Sequence, residues 1–217
     1  MSLAIFDLDN TLLAGDSDYS WGEFLVAKNL VDAELYRISN DRFYEQYKAG
    51  TLNIQEYLAF SLAPLTHYSM DELDVLHDEF MSTYIEPMML PKAQALLNEH
   101  RARGDYLLII TATNSFVTHP IAKRLGVDDI LASDAEIIDN RYTGKSTGTP
   151  CFQNGKVTRL HDWLSTHKYP LDGAYFYSDS INDLPLLELV PNPVVVDGDE
   201  RLSAAAKERG WRAISLR

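Results

Sequence analysis

The chain has 217 residues, 46% of them hydrophobic, and its 32 acidic side chains outnumber 19 basic ones to give a net charge of −13. This composition predicts one globular core, with or without a smaller insert, and disfavours nucleic acid or an anionic membrane as a partner. A single cysteine, Cys151, excludes an internal disulfide. No apolar run approaches a membrane span and no basic-then-apolar leader is present, so we expect a soluble cytoplasmic protein. We expect it to be a monomer or a homodimer.

The first predicted element is a buried strand, the apolar run Leu3–Phe6, followed by Asp7, Asp9 and a turn at Asn10 and Thr11. So short an apolar run is typical of a strand in a parallel sheet. Because side chains alternate along a strand, Asp7 and Asp9 are expected on the same side. Neighbouring buried acids are costly unless a cation or proton relieves their repulsion. The stretch therefore indicates either a chemical site or acids that cap a turn.

Residues 16–86 have a helical pattern. Apolar positions recur at spacings of three and four and predict four helices. The expected helix boundaries within this region are Ser17 or Asp18, Gly50, Asn53 and Ser69. We expect residues 16–86 to fold as a small all-α bundle, inserted into a core domain of residues 1–15 and 87–217.

From residue 87 onward, helices and strands alternate. A helix is expected at residues 91–103, and the apolar run at 106–110 predicts a second buried strand that ends at Thr111. Ser115 is expected to cap the next helix, with the amides of residues 112–114 at its start.

The remaining third of the chain continues this alternation. Residues 130–143 predict a hairpin or a strand with an appended arm, and residues 143–154 a loop. Lys156 opens a helix, and a strand at 174–177 precedes the polar segment 178–183. Two further short strands, at 194–196 and 211–216, flank a helix at 200–209. The pattern predicts an α/β fold with a doubly wound, Rossmann-like parallel sheet.

Three predicted strands end in polar residues: Asp7 and Asp9, then Thr111, then Asp179 and Asp183. In a parallel sheet these ends lie at one edge, so we expect the four carboxylates to lie close together. Oxygen ligands suit Mg²⁺. Zinc is disfavoured because the six histidines are scattered and no Cys/His pair has ligand spacing.

Paired acids beside a hard cation predict phosphoryl transfer. One carboxylate would attack phosphorus and the other would serve as general acid and base. Thr111, the amide of Ala112 and Lys156 are the candidate donors to the phosphoryl oxygens. Three of the candidate site residues also have a structural interpretation. Thr111 could simply end a strand, Lys156 could be a solvated side chain, and Asp183 could be a helix N-cap.

These motifs resemble the haloacid dehalogenase (HAD) phosphohydrolases. The run Asp7-Leu8-Asp9-Asn10-Thr11 resembles their DxDxT motif, Thr111 their second motif, Lys156 their third, and residues 179–183 their fourth. The resemblance covers the whole chain, with residues 16–86 in the place of the helical cap of the phosphoserine phosphatase-like branch.

The resemblance implies Asp7 as the nucleophile and Asp9 as the general acid and base. It also implies Mg²⁺ held by Asp7, the Asp9 carbonyl and Asp179, with Asp183 in support. The residues that it assigns to phosphate are Thr111, Lys156 and, as a helper, Asn182.

Within that branch, residues 111–114 lack the glycine pair that phosphoserine phosphatases carry after their second motif. Residues 16–21, 111–118 and 175–180 are similar to bacterial HAD-type histidinol-phosphatases. Asp16 and Asp18 would suit a cationic amine or imidazole on a small phosphorylated metabolite, or either could cap a helix.

Other functions remain open at this stage. Phosphoserine or another small amino-alcohol phosphate is the alternative substrate. A phosphotransferase or phosphomutase would pass the phosphoryl group to a sugar hydroxyl. A non-turnover phosphoacceptor signalling module also gathers acids and a lysine at a sheet edge, but such modules are shorter and carry no helical insert of this size.

Overall fold

The computed structural model describes residues 2–217. Its strands are, in chain order, β1 (Leu3–Phe6), β2 (Tyr106–Asn114), β3 (Asp129–Ser133), β4 (Ala135–Ile138), β5 (Arg141–Ser146), β6 (Tyr175–Ser178), β7 (Asn192–Val196) and β8 (Arg212–Ile214). Six of them form a parallel sheet in the order β3-β2-β1-β6-β7-β8. The predicted α/β fold with a parallel sheet is confirmed.

Helices cover both faces of this sheet. They are α1 (Ser17–Ala27), α2 (Ala33–Ala49), α3 (Ile54–Leu62), α4 (Met70–Phe80), α5 (Glu86–Met88), α6 (Pro91–Ala102), α7 (Ser115–Leu125), α8 (Asn154–His167), α9 (Leu184–Leu187) and α10 (Glu200–Arg209). A 3₁₀ helix (Ala63–His67) follows α3, a π-helical turn (Met81–Ile85) joins α4 to α5, and a second 3₁₀ helix (Ile181–Asp183) precedes α9.

The central position of β1 decides where a site can form. Ile5 pairs with Leu108 of β2 on one side and with Phe176 of β6 on the other, and the β1 side chains are fully buried. The strand order reverses between β1 and β6. Ligands of open parallel sheets bind at such a point, outside the carboxyl ends of the strands.

The helices of residues 16–86 share their core with the rest of the chain. Trp21 and Phe24 of α1 and Phe80 of α4 belong to the same apolar cluster as Val117 and Ile121 of α7. The apolar core of these helices is therefore continuous with that of α7. Their assignment as a separate domain stays a prediction.

The chain leaves and re-enters the core side by side. Leu13 and Met89 form an isolated antiparallel bridge, and the Ala14 amide donates to the Met88 carbonyl at 2.8 Å. Two short segments thus connect the helices of residues 16–86 to the sheet.

Several predicted boundaries were wrong. Asp16, not Ser17 or Asp18, caps α1 by accepting from the Tyr19 amide, and Asn114, not Ser115, caps α7. Both capping acceptors lie one residue earlier than expected, where the backbone is still extended. The amides of residues 112–114 accordingly lie in β2 and not in the first turn of a helix.

The predicted hairpin is present, but the stretch around it holds more strand than expected. β3 joins the main sheet, and β4 and β5 form a separate two-stranded sheet. Asp139 and Asn140 form the turn between them with positive φ of 49° and 58°, which Asp and Asn adopt more readily than most residues. β5 extends to Ser146, so the loop begins later than residue 143. Across residues 2–217, no helix is long and apolar enough to cross a membrane.

Candidate active site

A buried lysine lies between two of the predicted acids. Lys156 Nζ contacts Oδ1 of Asp7 at 2.7 Å and Oδ1 of Asp183 at 2.7 Å. Lys156 is only 1% exposed, so it is not a solvated surface residue. Burial would lower the pKa of Lys156, but the charges of Asp183 and Asp7 raise it above its ordinary value, which keeps the ammonium charged.

Asp183 supports Lys156 and does not cap a helix with its side chain. Ser178 Oγ donates to Asp183 Oδ2 at 2.7 Å, and the Asp183 carboxylate makes no capping hydrogen bond to α9. The side chain is 1% exposed. Its position fixes the lysine that contacts Asp7.

Asp9 is held by two hydrogen bonds from different parts of the chain. The Ser17 amide donates to Oδ1 at 2.6 Å, and the Thr113 hydroxyl donates to Oδ2 at 2.8 Å. Burial and then the charge of Asp16 raise the pKa of Asp9 to about 6, while these hydrogen bonds hold it down. A carboxyl with a pKa near neutrality can both give and take a proton under ordinary conditions.

Asp7 and Asp179 are two buried acids whose pKa values stay raised despite their protein partners. Burial, opposed by Lys156, leaves the pKa of Asp7 raised. Burial and the charge of Asp7 raise the pKa of Asp179 well above its usual range, although the Thr11 hydroxyl donates to Asp179 Oδ1 at 3.1 Å. Excess negative charge on oxygen donors is what a hard divalent cation would neutralise.

Asp7, Asp179 and the Asp9 carbonyl are oxygen donors of the kind that fits Mg²⁺. Within residues 2–217, no three His, Cys, Asp or Glu side chains form a set that could hold a metal ion. The expected ligands, Asp7, the Asp9 carbonyl and Asp179 with Asp183 in support, therefore include only two or three carboxylates and stay a prediction. Mg²⁺ commonly takes one or two carboxylates and fills its other positions with carbonyls, waters and phosphate. Asp7 and Asp179 with the Asp9 carbonyl would be such a donor set.

Thr111 lies beside Asp7 and Asp9 in the wall of a pocket. Its Oγ1 accepts from the Thr113 amide at 3.2 Å, which leaves the hydroxyl proton able to donate to an anion. Ala112 lines the same pocket. The structure thus brings Thr111 and Ala112 together with the two acids that follow β1.

The pocket above Asp7 is acidic and aromatic. Four aspartates line it, Asp7, Asp9, Asp16 and Asp18, and its aromatic wall consists of Tyr19, Phe43, Tyr44, Tyr47 and Tyr57. Among the residues that the structure describes, no lysine, arginine or histidine lines this pocket. The wall comes from α1, α2 and α3, so the helices of residues 16–86 shape the space beside Asp7.

In this conformation the Asn182 side chain bonds to other protein groups, which does not match its predicted role as a phosphate helper. Its Nδ2 donates to the Tyr47 carbonyl at 2.9 Å, and its Oδ1 accepts from Gln153 Nε2 at 3.3 Å. Both partners are protein groups, and one of them belongs to α2. A contact between Asn182 and phosphate stays a prediction.

Thr113, Asn114 and Ser17 are site residues that the sequence analysis did not single out. Thr113 stands two residues after Thr111, a spacing that places side chains on the same side of a strand and could have identified it. The bond from the Ser17 amide to Asp9 gave no signal in the sequence, because any residue offers that donor.

An acid pair after the central strand, a buried lysine, and further acids after the neighbouring strand are the groups that phosphoryl transfer to a carboxylate requires. Residues 4–188 match the family model of haloacid dehalogenase-like hydrolases, and the chain belongs to that family.

Relatives with phosphatase names match almost the whole chain. A histidinol-phosphatase of Neisseria meningitidis is 44% identical over all of this chain and 99% of its own length. A phosphoserine phosphatase of Mycobacterium tuberculosis is 30% identical over 99% of this chain and 70% of its own length.

Solved structures share the fold. A protein of unknown function from Bordetella pertussis superposes with a TM-score of 0.93 at 43% identity, covering 100% of this chain and 99% of its own. A substrate-bound phosphoserine phosphatase gives a TM-score of 0.71 at 17% identity, covering 98% of this chain and 92% of its own, and so shows the fold alone.

Proposed function

We propose that this phosphatase hydrolyses a small phosphomonoester that carries a cationic nitrogen and no carboxylate, with histidinol phosphate as the best candidate. The observation that carries the substrate class is the pocket wall, which offers four aspartates and five aromatic rings but no basic side chain among the described residues. A carboxylate on the substrate would be repelled there, whereas a protonated amine or imidazole would be attracted.

The proposed reaction has two steps. An Asp7 carboxylate oxygen attacks phosphorus, the bond from phosphorus to the ester oxygen breaks, and Asp9 gives its proton to the departing alcohol. Water then attacks the phosphoryl group on Asp7 while Asp9 takes a proton from it. This step releases inorganic phosphate and restores the Asp7 carboxylate and the protonated Asp9.

The positions of the neighbouring groups support these roles. The Lys156 ammonium at 2.7 Å from Asp7 balances the negative charge of the carboxylate and of the phosphoryl group that it receives. The Thr111 hydroxyl can donate to a phosphoryl oxygen. Asp9, held by Ser17 and Thr113, has a pKa of about 6 that suits an acid in the first step and a base in the second.

Mg²⁺ bound by Asp7, the Asp9 carbonyl and Asp179 would neutralise phosphoryl charge and orient the phosphate. Asp183 would act in support by holding Lys156, not as a ligand.

The substrate assignment agrees with the Neisseria meningitidis relative that is named a histidinol-phosphatase. Histidinol phosphate has an ammonium and an imidazole, and its alcohol replaces the carboxylate of the amino acid. Phosphoserine is the second candidate because a Mycobacterium tuberculosis relative bears that activity in its name. The acidic pocket wall disfavours its carboxylate.

The test is a comparison of initial rates with Mg²⁺ for histidinol phosphate, phosphoserine and phosphoethanolamine. We expect kcat/KM to be highest for histidinol phosphate. A preference for phosphoserine would overturn the substrate class, and transfer of phosphate to added alcohols in place of water would indicate a phosphotransferase. A cytoplasmic location and a monomeric or dimeric state stay predictions from the sequence.

A further inference from the structure

Asp18 is a buried acid in the pocket wall with an unused oxygen. Its side chain is 6% exposed, and its Oδ2 makes no hydrogen bond of normal geometry within residues 2–217, although the Tyr57 hydroxyl lies near enough to lower the pKa of Asp18. A buried carboxylate oxygen without a donor costs free energy, so such an atom needs an explanation.

The other pocket acids already have partners. Asp7 contacts Lys156 at 2.7 Å, and Asp9 accepts from the Ser17 amide and from a threonine hydroxyl. Asp16 Oδ1 accepts from the Tyr19 amide at 2.9 Å and caps α1. Among the four aspartates of the wall, Asp18 is the one with a fully buried oxygen that lacks a partner within residues 2–217.

The orientation of Asp18 is fixed by the strand that also holds the proposed acid catalyst. Asn114 Nδ2 donates to Asp18 Oδ1 at 3.3 Å, while the preceding residue, Thr113, donates to Asp9 Oδ2 at 2.8 Å. Asn114 is itself fixed, because its Oδ1 accepts from the Val117 amide as the cap of α7. Two consecutive residues of β2 therefore set the relative positions of Asp9 and Asp18.

We propose that Oδ2 of Asp18 accepts a hydrogen bond from the protonated nitrogen of the substrate and makes the enzyme selective for cationic phosphomonoesters. The inference rests on the proposed function in that it concerns the same pocket and reaction. It assigns the cation to Asp18, whereas Asp16 is assigned to the start of α1.

Charge supports this assignment. Burial and then the charge of Asp9 raise the pKa of Asp18 to about 7, with the Tyr57 hydroxyl offsetting part of the rise. A bound cation would favour the ionised carboxylate. Hydrogen bonds between ionised partners are shorter and stronger than neutral ones, and a buried carboxylate with an unpartnered oxygen is suited to one.

The test compares two substrates that differ by one ammonium group, phosphoethanolamine and ethyl phosphate. The wild-type enzyme should favour phosphoethanolamine in kcat/KM. Asp18→Asn should reduce that preference about 10- to 100-fold, mainly through a higher KM for phosphoethanolamine, with a clearly smaller effect on ethyl phosphate. Asp74→Asn, an exposed acid on α4, removes the same charge at a distance and should leave the preference unchanged.

Asp16→Asn is the decisive comparison. It should lower turnover of both substrates to a similar extent through the start of α1. Loss of the cation preference in Asp16→Asn but not in Asp18→Asn would overturn the assignment, as would an equal loss of both substrates in Asp18→Asn. If Asp18→Asn does not fold, Asp18→Glu keeps the charge but displaces it, and the preference should fall at least about tenfold.

The two proposals fail separately. An enzyme that prefers phosphoethanolamine to ethyl phosphate but does not hydrolyse histidinol phosphate would refute the named substrate and keep the role of Asp18. A wild-type enzyme without any cation preference would refute both the cationic substrate class and the role of Asp18, whereas a cation preference that survives in Asp18→Asn would refute the role of Asp18 alone. An imidazolylpropyl phosphate has the ring of histidinol phosphate but lacks its ammonium. The effect of Asp18→Asn on kcat/KM for this compound distinguishes a contact of Asp18 with the amine from one with the imidazole.

Discussion

Asn182 donates a hydrogen bond of 2.9 Å to the main-chain carbonyl of Tyr47, although 135 positions separate the two residues in the chain. The bond joins the segment after β6, which carries two of the predicted acids, to the last turn of α2. Arg201 Nη1 adds a second link to the Ala49 carbonyl at 3.2 Å. These bonds hold the end of α2 beside the site, and Tyr47 in the pocket wall depends on them.

Asn182→Ala should therefore loosen α2 over the site. We expect faster amide hydrogen exchange in residues 44–50 and a higher KM, because the pocket wall is less well fixed. Arg201→Ala removes the other link from a position outside the pocket and should increase exchange in the same residues. If Asn182→Ala weakens inhibition by inorganic phosphate and leaves exchange unchanged, Asn182 acts on phosphate and not on α2.

Thr113→Val should change the pH dependence of turnover. The Thr113 hydroxyl helps to lower the pKa of Asp9, which burial raises to about 6, so its loss raises that pKa further. The alkaline limb of the kcat/KM profile, where the general acid loses its proton, should move to higher pH, with a loss in rate of about tenfold. Thr113→Ser keeps the hydroxyl and should keep the wild-type profile. An unchanged limb in the valine variant would separate Asp9 from that ionisation.

Removal of a buried acid should stabilise the metal-free protein above neutral pH. Asp18 binds a proton more tightly when folded, since burial raises its pKa from 3.8 to about 7. Its protonation thus favours the folded state, and this advantage is lost as the pH rises from about 4 to 7. At about pH 8, Asp18→Asn should raise the free energy of urea unfolding by about 2 kcal/mol, with little change at about pH 4.

The control for this effect is Asp74→Asn, which replaces an exposed acid on α4. It should leave the free energy of unfolding within about 0.5 kcal/mol of wild type at both pH values. If Asp18→Asn is less stable than wild type at alkaline pH, the Asp18 carboxylate has hydrogen-bond partners in the folded protein in solution.

Mg²⁺ should stabilise the folded protein through Asp7 and Asp179. Both acids have pKa values raised by burial and by neighbouring carboxylates, Asp183 acting on Asp7 and Asp7 acting on Asp179, and a divalent cation would relieve this repulsion. Saturating Mg²⁺ should raise Tm by several degrees after chelation, and Asp179→Asn should abolish most of that rise. Asp162→Asn, at an exposed position of α8, should keep the full rise. An equal response in both variants would place the ion elsewhere.

The sequence predicted the sheet and the acids at its edge because both depend on local features. Short apolar runs such as Leu3–Phe6 specify buried strands, and the residues that follow them, such as Asp7, reach the edge through topology alone. The hydrogen-bond partners could not be predicted in this way. Thr113 bonds to Asp9 across 104 positions and Asn182 to Tyr47 across 135, and nothing in the neighbouring residues of either pair specifies the contact. The individual role of each acid depends on such distant partners.

Lys156 is expected to be essential for both activity and stability. Lys156→Met would leave Asp7 and Asp183 buried, 4% and 1% exposed, without the ammonium that lies 2.7 Å from each. Removing one partner of a buried ion pair costs about 3–5 kcal/mol, because the remaining charge is left uncompensated. We expect that loss in urea unfolding at neutral pH, and a fall in kcat of at least about 10³-fold from the lost balance of phosphoryl charge.

The double variant Lys156→Met/Asp183→Asn should recover part of the stability and none of the activity, since it removes a repulsive charge but restores no cation beside Asp7. Lys123→Met, on the exposed side of α7, serves as the matched control and should match wild type in both measurements. Wild-type turnover by Lys156→Met would exclude a part for the ammonium in the reaction.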